Sequence, residues 1–221
     1  MMNFEAARAN MVESQIRTTD VTSHSLLKAF YAVSRENFLP ENLKVFAYID
    51  KDLQISPAGA GKPARYLMEP SPVAKLLQLA AINKQDRVLD VGCGTGYVSA
   101  ILSHVAGQVV ALECDEELAA TAKSNLSSYE NVSVVQGPLE KGYASGAPYS
   151  VIFMSGSVEE IPTSLFEQLA ERGKLIAVQG QGHAGRATVF TRERGAVSET
   201  TYFNVGAKPL PGFAKAPSFV F

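Results

Sequence analysis

Apolar residues recur along this chain first at helical spacing and then at strand spacing. Phe4 to Arg17 and Ser23 to Val33 read as two amphipathic helices, the second carrying Leu26, Leu27, Phe30, Tyr31 and Val33. Asp20 or Thr22 is placed to cap that second helix. Residues 37–62 hold no period, and SPAGAGKP at 56–63 is a loop sequence. Pro72 to Ala81 predicts a further helix through Val73, Leu76, Leu77 and Leu79. From there strands are predicted at 87–92, 108–113, 132–136, 149–154 and 174–179, with helices at 96–105, 115–127 and 163–170. This alternation predicts an α/β fold with a doubly wound, mostly parallel sheet. Residues 187–193 and 198–205 instead alternate polar and apolar around a turn at RGAV, which predicts an antiparallel hairpin on the sheet edge.

The most informative junction joins the first buried strand to its helix. RVLDVGCGTGY at 87–97 places Gly92, Gly94 and Gly96 where side chains would obstruct a ligand. A dinucleotide fingerprint needs glycine at its first, third and sixth positions, and the sixth position here is Tyr97. A nicotinamide cofactor is therefore disfavoured. Asp90 followed by Gly-x-Gly-x-Gly resembles motif I of the class I methyltransferases that use S-adenosylmethionine, with a Rossmann-like sheet. That resemblance implies cofactor contacts from Asp90, Gly92, Cys93, Gly94, Gly96 and Tyr97, Asp90 facing the ammonium of the methionine part. Glu113 ends the next strand, 17 residues beyond Gly96. Nucleotide-binding βαβ units carry an acid about 20 residues past the turn to accept hydrogen bonds from the ribose. Capping of the following helix is the competing role for this acid and its neighbours Asp115, Glu116 and Glu117, and for those three it is the favoured one.

Bulk properties narrow the class further. At 221 residues and 46% hydrophobic content, one domain is expected, with 1–80 supplying N-terminal helices and a substrate loop and 81–221 the cofactor-binding core. A net charge of −2 without a basic run disfavours nucleic acid as a partner. The sequence has no apolar stretch of spanning length, and its charged start is unlike a signal peptide; no membrane association and a cytoplasmic location are expected. Two cysteines, Cys93 and Cys114, and three scattered histidines suggest neither a disulfide framework nor a metal site.

MVESQIR at 11–17, VSRENFLPE at 33–41, AYIDKDLQI at 47–55, RVLDVGCGTGY at 87–97 and IPTSLFEQLAERGKLIAVQG at 161–180 resemble successive blocks of the protein-L-isoaspartate O-methyltransferase family. The resemblance implies methyl transfer from S-adenosylmethionine to the displaced carboxylate of an isoaspartyl residue in a damaged protein or peptide. It also implies cofactor contacts from Cys114 and Leu139.

The chain departs from the family on the acceptor side. Where the family has a Thr-Ile-Ser-Gln-Pro-like segment, this chain has Tyr66, Leu67, Met68, Glu69 and Pro70, so Met68 stands in place of the active-site serine. The preceding loop is longer than the family's and carries Lys62 and Arg65, candidates for an anionic substrate or plain solvated cations. Gly137, Pro138 and Leu139 replace a Gly-Asp-Gly whose aspartate serves the adenine, a loss of about 1 kcal/mol. Three readings stay open: an isoaspartyl methyltransferase, a methyltransferase of altered specificity, and a non-catalytic module that binds S-adenosylmethionine.

Overall fold

The structure, a computed structural model, describes residues 3–59, 61–180 and 182–215. Helices α1 (Phe4–Met11) and α2 (His24–Ala32) come first, then a two-stranded antiparallel hairpin of β1 (Leu53–Ser56) and β2 (Arg65–Leu67). Residue 60, in the loop between these strands, lies outside the described residues. Helix α3 (Pro70–Ala80) leads into β3 (Arg87–Val91), α4 (Tyr97–Val105), β4 (Gln108–Glu113), α5 (Glu116–Asn125), β5 (Val132–Gln136) and β6 (Tyr149–Val158). The chain continues through the short α6 (Thr163–Glu167), β7 (Leu169–Gln179), β8 (Arg186–Glu193) and β9 (Ala196–Asn204). Strands β3 to β9 form one sheet in the order β5-β4-β3-β6-β7-β8-β9. Pairing is parallel from β5 to β7, and the β8–β9 hairpin closes the edge in antiparallel register.

The pleat decides what each strand residue meets. In β3, Val88 joins the core beneath α4, α3 and α2, while Leu89 and Val91 join the opposite layer with Leu112, Ile152, Met154 and Leu175. Asp90 therefore falls on the face covered by α4, and Ala111 is its register partner on β4. Period-two spacing puts Glu113 on that same face. The N-terminal helices share this apolar layer through Met11, Ile16, Leu26 and Phe30.

Three local expectations are corrected. The first helix stays α-helical only to Met11, then widens into a π-turn over Val12–Ile16 and a 3-10 turn over Arg17–Thr19. Ser14 Oγ donates to the carbonyl of Asn10, and the added residue lets Met11, Val12 and Ile16 all point inward. The second helix is not capped by Asp20 or Thr22; its N-cap is Ser23, and Gln78 Oε1 accepts from the Thr22 and Ser23 amides. The helix predicted at 163–170 stops at Glu167, because the Gln168 carbonyl accepts from Tyr149 N and Leu169 enters the sheet. Arg192 Nη1 donates to the carbonyls of Glu167 and Leu169 and fixes that exit.

Helix α5 begins on Asp115, whose Oδ1 accepts from the amides of Glu117 (3.0 Å) and Leu118 (3.1 Å). Asp115→Ala is expected to cost about 1 kcal/mol of stability through the lost cap. Urea unfolding measures this, and an unchanged midpoint would contradict the capping role.

Candidate cofactor site

The three glycines leave β3 with φ of +80° at Gly92, +57° at Gly94 and +98° at Gly96, a region costly for any side-chain-bearing residue. The turn spends its own amides internally. Gly92 N and Cys93 N donate to the Leu112 carbonyl, Gly96 N to the Cys93 carbonyl, and Gly94 N to Glu113 Oε2 at 2.8 Å. The turn thus offers close approach to its Cα atoms rather than a nest of free donors. A Cβ at Gly92 would stand 2.6 Å from a Leu210 methyl, and one at Gly94 would stand 2.7 Å from Ile55 Cδ1. Leu210 reaches the turn because the segment after β9 pairs with the end of β6: Ser157 N donates to the Lys208 carbonyl and Leu210 N to the Ser157 carbonyl.

Glu113 is fully buried at the tip of β4 and is solvated by the protein. Its Oε2 accepts from Gly94 N, and its Oε1 from Cys114 N (2.8 Å) and Asp115 N (3.0 Å). Both oxygens also accept from the Arg65 guanidinium, Oε1 at 2.5 Å and Oε2 at 2.9 Å. Arg65 Nη2 donates as well to the Gly92 carbonyl. Lys62, in the same loop, pairs with Asp115 at 2.7 Å. Of the two loop cations, Arg65 is paired with Glu113 in the interior, whereas the Lys62 side chain stays half-exposed beside Asp115.

Asp90 lies beneath α4 with no exposure, and its two oxygens accept from the hydroxyls of Ser99 (2.5 Å) and Ser155 (2.6 Å). It braces the turn from inside by linking α4 to β6. Burial pushes its carboxyl up to about 6, against the pull of Ser155 and Ser99 and with the Glu113 charge adding to the rise. Burial likewise holds the Cys93 thiol well above its ordinary range, and burial with the Glu113 charge puts Cys114 at about 11; neither is a thiolate at neutral pH.

Other expected site residues belong to the core. Tyr97 is fully buried between Phe30 and Phe38, with the Arg35 guanidinium 4.8 Å from its ring centroid. Leu139 packs in the layer with Val91 and Leu112. Met68, one of the substrate-loop candidates, is buried in the other layer. Its carbonyl accepts from Arg35 Nη2 at 2.8 Å. No spacing or motif in the sequence singles out Arg35, Ile55 or Leu210, although Arg35 and Ile55 fall within blocks of the family resemblance.

Beside Met68 opens a cavity of about 500 Å³, lined by Asp52, Glu69, Lys208 and the backbone around Gly206. Glu69 N donates to Asp52 Oδ1, while Asp50 accepts from Ser71 N and Oγ. Burial, then the charges of Asp50 and Asp52, push the Glu69 carboxyl up to about 7. Among the described residues no cluster of His, Cys, Asp or Glu could hold a metal, and no helix is long and apolar enough to cross a membrane.

S-adenosylmethionine matches the chemistry of these residues: a strand-tip carboxylate is the group that accepts from a ribose diol once the Arg65 guanidinium leaves it, and the glycine Cα atoms beside it admit an apolar and sulfonium body where Ile55 and Leu210 now lie. Sheet order, turn and strand-tip acid together define a class I methyltransferase. The sequence model of the protein-L-isoaspartate(D-aspartate) O-methyltransferase family matches residues 6–210. Among curated relatives, the protein-L-isoaspartate O-methyltransferase of Koribacter versatilis (strain Ellin345) is 34% identical over 96% of this chain and 94% of its own. That of Methanoculleus marisnigri is 33% identical over 93% of this chain and 91% of its own. The chain belongs to this family, one of S-adenosylmethionine-dependent O-methyltransferases. A solved protein-L-isoaspartate O-methyltransferase superposes with a TM-score of 0.81 at 27% identity, over 93% of this chain and 66% of that one. A candidate family member from Plasmodium falciparum, solved in complex with S-adenosyl-L-homocysteine, shares the fold at a TM-score of 0.74 and 19% identity, over 94% of this chain and 98% of that one.

The raised Asp90 carboxyl sets a pH signature. Relative to an ordinary value of 3.8 in the unfolded chain, the neutral form favours folding, so its contribution is complete below about pH 4 and is lost as pH rises through about 6. Asp90→Asn keeps a neutral group at all pH values. Its unfolding free energy should rise relative to wild type by up to about 3 kcal/mol between about pH 4 and pH 7. Urea melts across that range read the difference, and parallel stability curves would count against a buried, charge-opposing Asp90.

Proposed function

We infer that this chain transfers a methyl group from S-adenosylmethionine to a carboxylate oxygen, with isoaspartyl residues of damaged proteins as acceptors. The observation that carries this reading is the buried Glu113 carboxylate, held by three backbone amides beside a positive-φ glycine turn, in a chain of this family. When bound, the cofactor supplies an electrophilic methyl group on a sulfonium sulfur. Glu113 would hold the ribose and Gly92 and Gly94 would admit the methionine part, while Asp90 keeps the turn rigid through Ser99 and Ser155. An acceptor carboxylate has a reference pKa near about 4, so it is ionised at neutral pH and needs no general base. The remaining tasks are alignment and exclusion of water, for which apolar side chains such as Ile55 and Leu210 are well placed.

A second reading concerns the acceptor. With Met68 buried, the cavity beside it presents Asp52, Glu69 and Lys208, a surface in which two acids outnumber one cation. That balance favours an acceptor with less negative charge than an isoaspartyl carboxylate, which is the altered-specificity reading.

Labelled S-adenosylmethionine offered with an isoaspartyl peptide and with its aspartyl counterpart tests both. Label on the isoaspartyl peptide alone is expected; binding of cofactor without transfer to either peptide would refute the repair reading. The pH profile adds a finer test. Glu69 ionises through about pH 7, and its charge then opposes an anionic acceptor, so kcat/KM for the isoaspartyl peptide should fall as pH rises through that value. Glu69→Gln should flatten the fall, and identical profiles would remove Glu69 from acceptor selection.

A further inference from the structure

The acid that would hold the ribose has no acceptor capacity left. An ionised carboxylate offers about four lone-pair sites. Five N–H groups already converge on Glu113: those of Gly94, Cys114 and Asp115 and two from Arg65. The three amides belong to the turn and to the start of α5 and stay wherever the cofactor goes. Arg65 is the removable member, since it reaches Glu113 from β2, 48 residues away in sequence. Around it, Ile55 of β1 and Leu210 of the C-terminal segment lie against Gly94 and Gly92, so the surface meant for close approach is covered by this chain's own side chains.

We propose that Arg65 is a latch on the cofactor site, which exchanges its place on Glu113 with the ribose hydroxyls of S-adenosylmethionine. The proposal rests on the reading of Glu113 as the ribose acid. The pairing is built as a fixed arrangement rather than a passing surface contact. Arg65 is 6% exposed and Glu113 not at all, the contact is bidentate, and the Gly92 carbonyl accepts a further Arg65 bond. The tip of the same hairpin is tied to the same helix start by Lys62 on Asp115. Its sequence leaves room for movement: Pro57 and Pro63 bracket the tip, Gly61 sits at a φ of +78°, and a register shift interrupts the β1–β2 pairing between Gln54 and Ser56. Opening the latch leaves two amides on Oε1 and one on Oε2, which frees one acceptor site, on Oε2, and moves Ile55 together with Arg65 because the two share one hairpin. Cofactor affinity is then reduced by the fraction of molecules in which the latch is closed.

S-adenosylhomocysteine titrated calorimetrically into wild type, Arg65→Gln, Arg65→Lys and Glu113→Gln tests the proposal without any turnover. Arg65→Gln should bind at least about tenfold more tightly than wild type, and Arg65→Lys should fall between them, since an ammonium cannot hold both oxygens in a fork. Equal or weaker binding by Arg65→Gln overturns the latch. Glu113→Gln should lose binding; if it binds as wild type does, or if no variant binds at all, the ribose reading falls and the latch with it. Wild type alone provides a second measurement if the arginine variants fold poorly. Its observed association rate, followed by tyrosine fluorescence, should level off with ligand concentration at the rate of opening, whereas a rate that rises linearly throughout overturns the proposal.

Discussion

The constraint on which this structure turns is the burial of two carboxylates at the ends of adjacent strands. Asp90 and Glu113 share one face of the sheet, both without exposure, in a layer otherwise built of Val88, Ala111 and the apolar side of α4. An ionised group removed from water must be resolvated by the protein or lose its charge. The two acids meet this demand differently. Asp90 receives two hydroxyls and is driven toward its neutral form, whereas Glu113 receives three amides and a guanidinium. Those requirements position the neighbours. Ser155 fixes the end of β6 against β3, Gly94 fixes the turn, and the β1–β2 hairpin is drawn over the sheet by Arg65.

How much of this was legible in the sequence follows from how far apart the interacting residues lie. The glycine turn, the parallel sheet and the strand-tip acid depend on short spacings, since period two and the distance from Gly96 to Glu113 are written within a few dozen residues. Leu210 against Gly92 and Arg65 on Glu113 are tertiary contacts across long loops, and no local pattern encodes them. Tyr97 shows the same limit: the N-terminal segment brings Phe30, Phe38 and Arg35 around the ring of this first helical residue and makes it core. At 163–170 the helical period was real, yet pairing of β7 with β6 overrode it at Leu169.

The family resemblance carried the cofactor half of the site further than the acceptor half. Cofactor residues lie on β3, β4 and the turns that follow them, where a changed side chain would disturb the core. Of the residues from 52 to 69, Asp52 and Glu69 line the neighbouring cavity, while Leu53, Ile55, Leu67 and Met68 are core. Met68 illustrates this: in place of a serine it gained apolar burial while its carbonyl kept a charged donor in Arg35.

The two halves are nevertheless joined through one short stretch of chain. Arg65 contacts buried Glu113, the Met68 carbonyl is pinned by buried Arg35, and Glu69 both begins α3 and lines the cavity with Asp52 and Lys208. Only three residues separate Arg65 from Glu69, and the Arg35 bond to the Met68 carbonyl and the Asp52 bond to Glu69 N hold that short stretch in place. The two ends of this stretch are thus neighbours in the fold as well as in the sequence, and Met68, which replaces the family's serine by resemblance, lies between them.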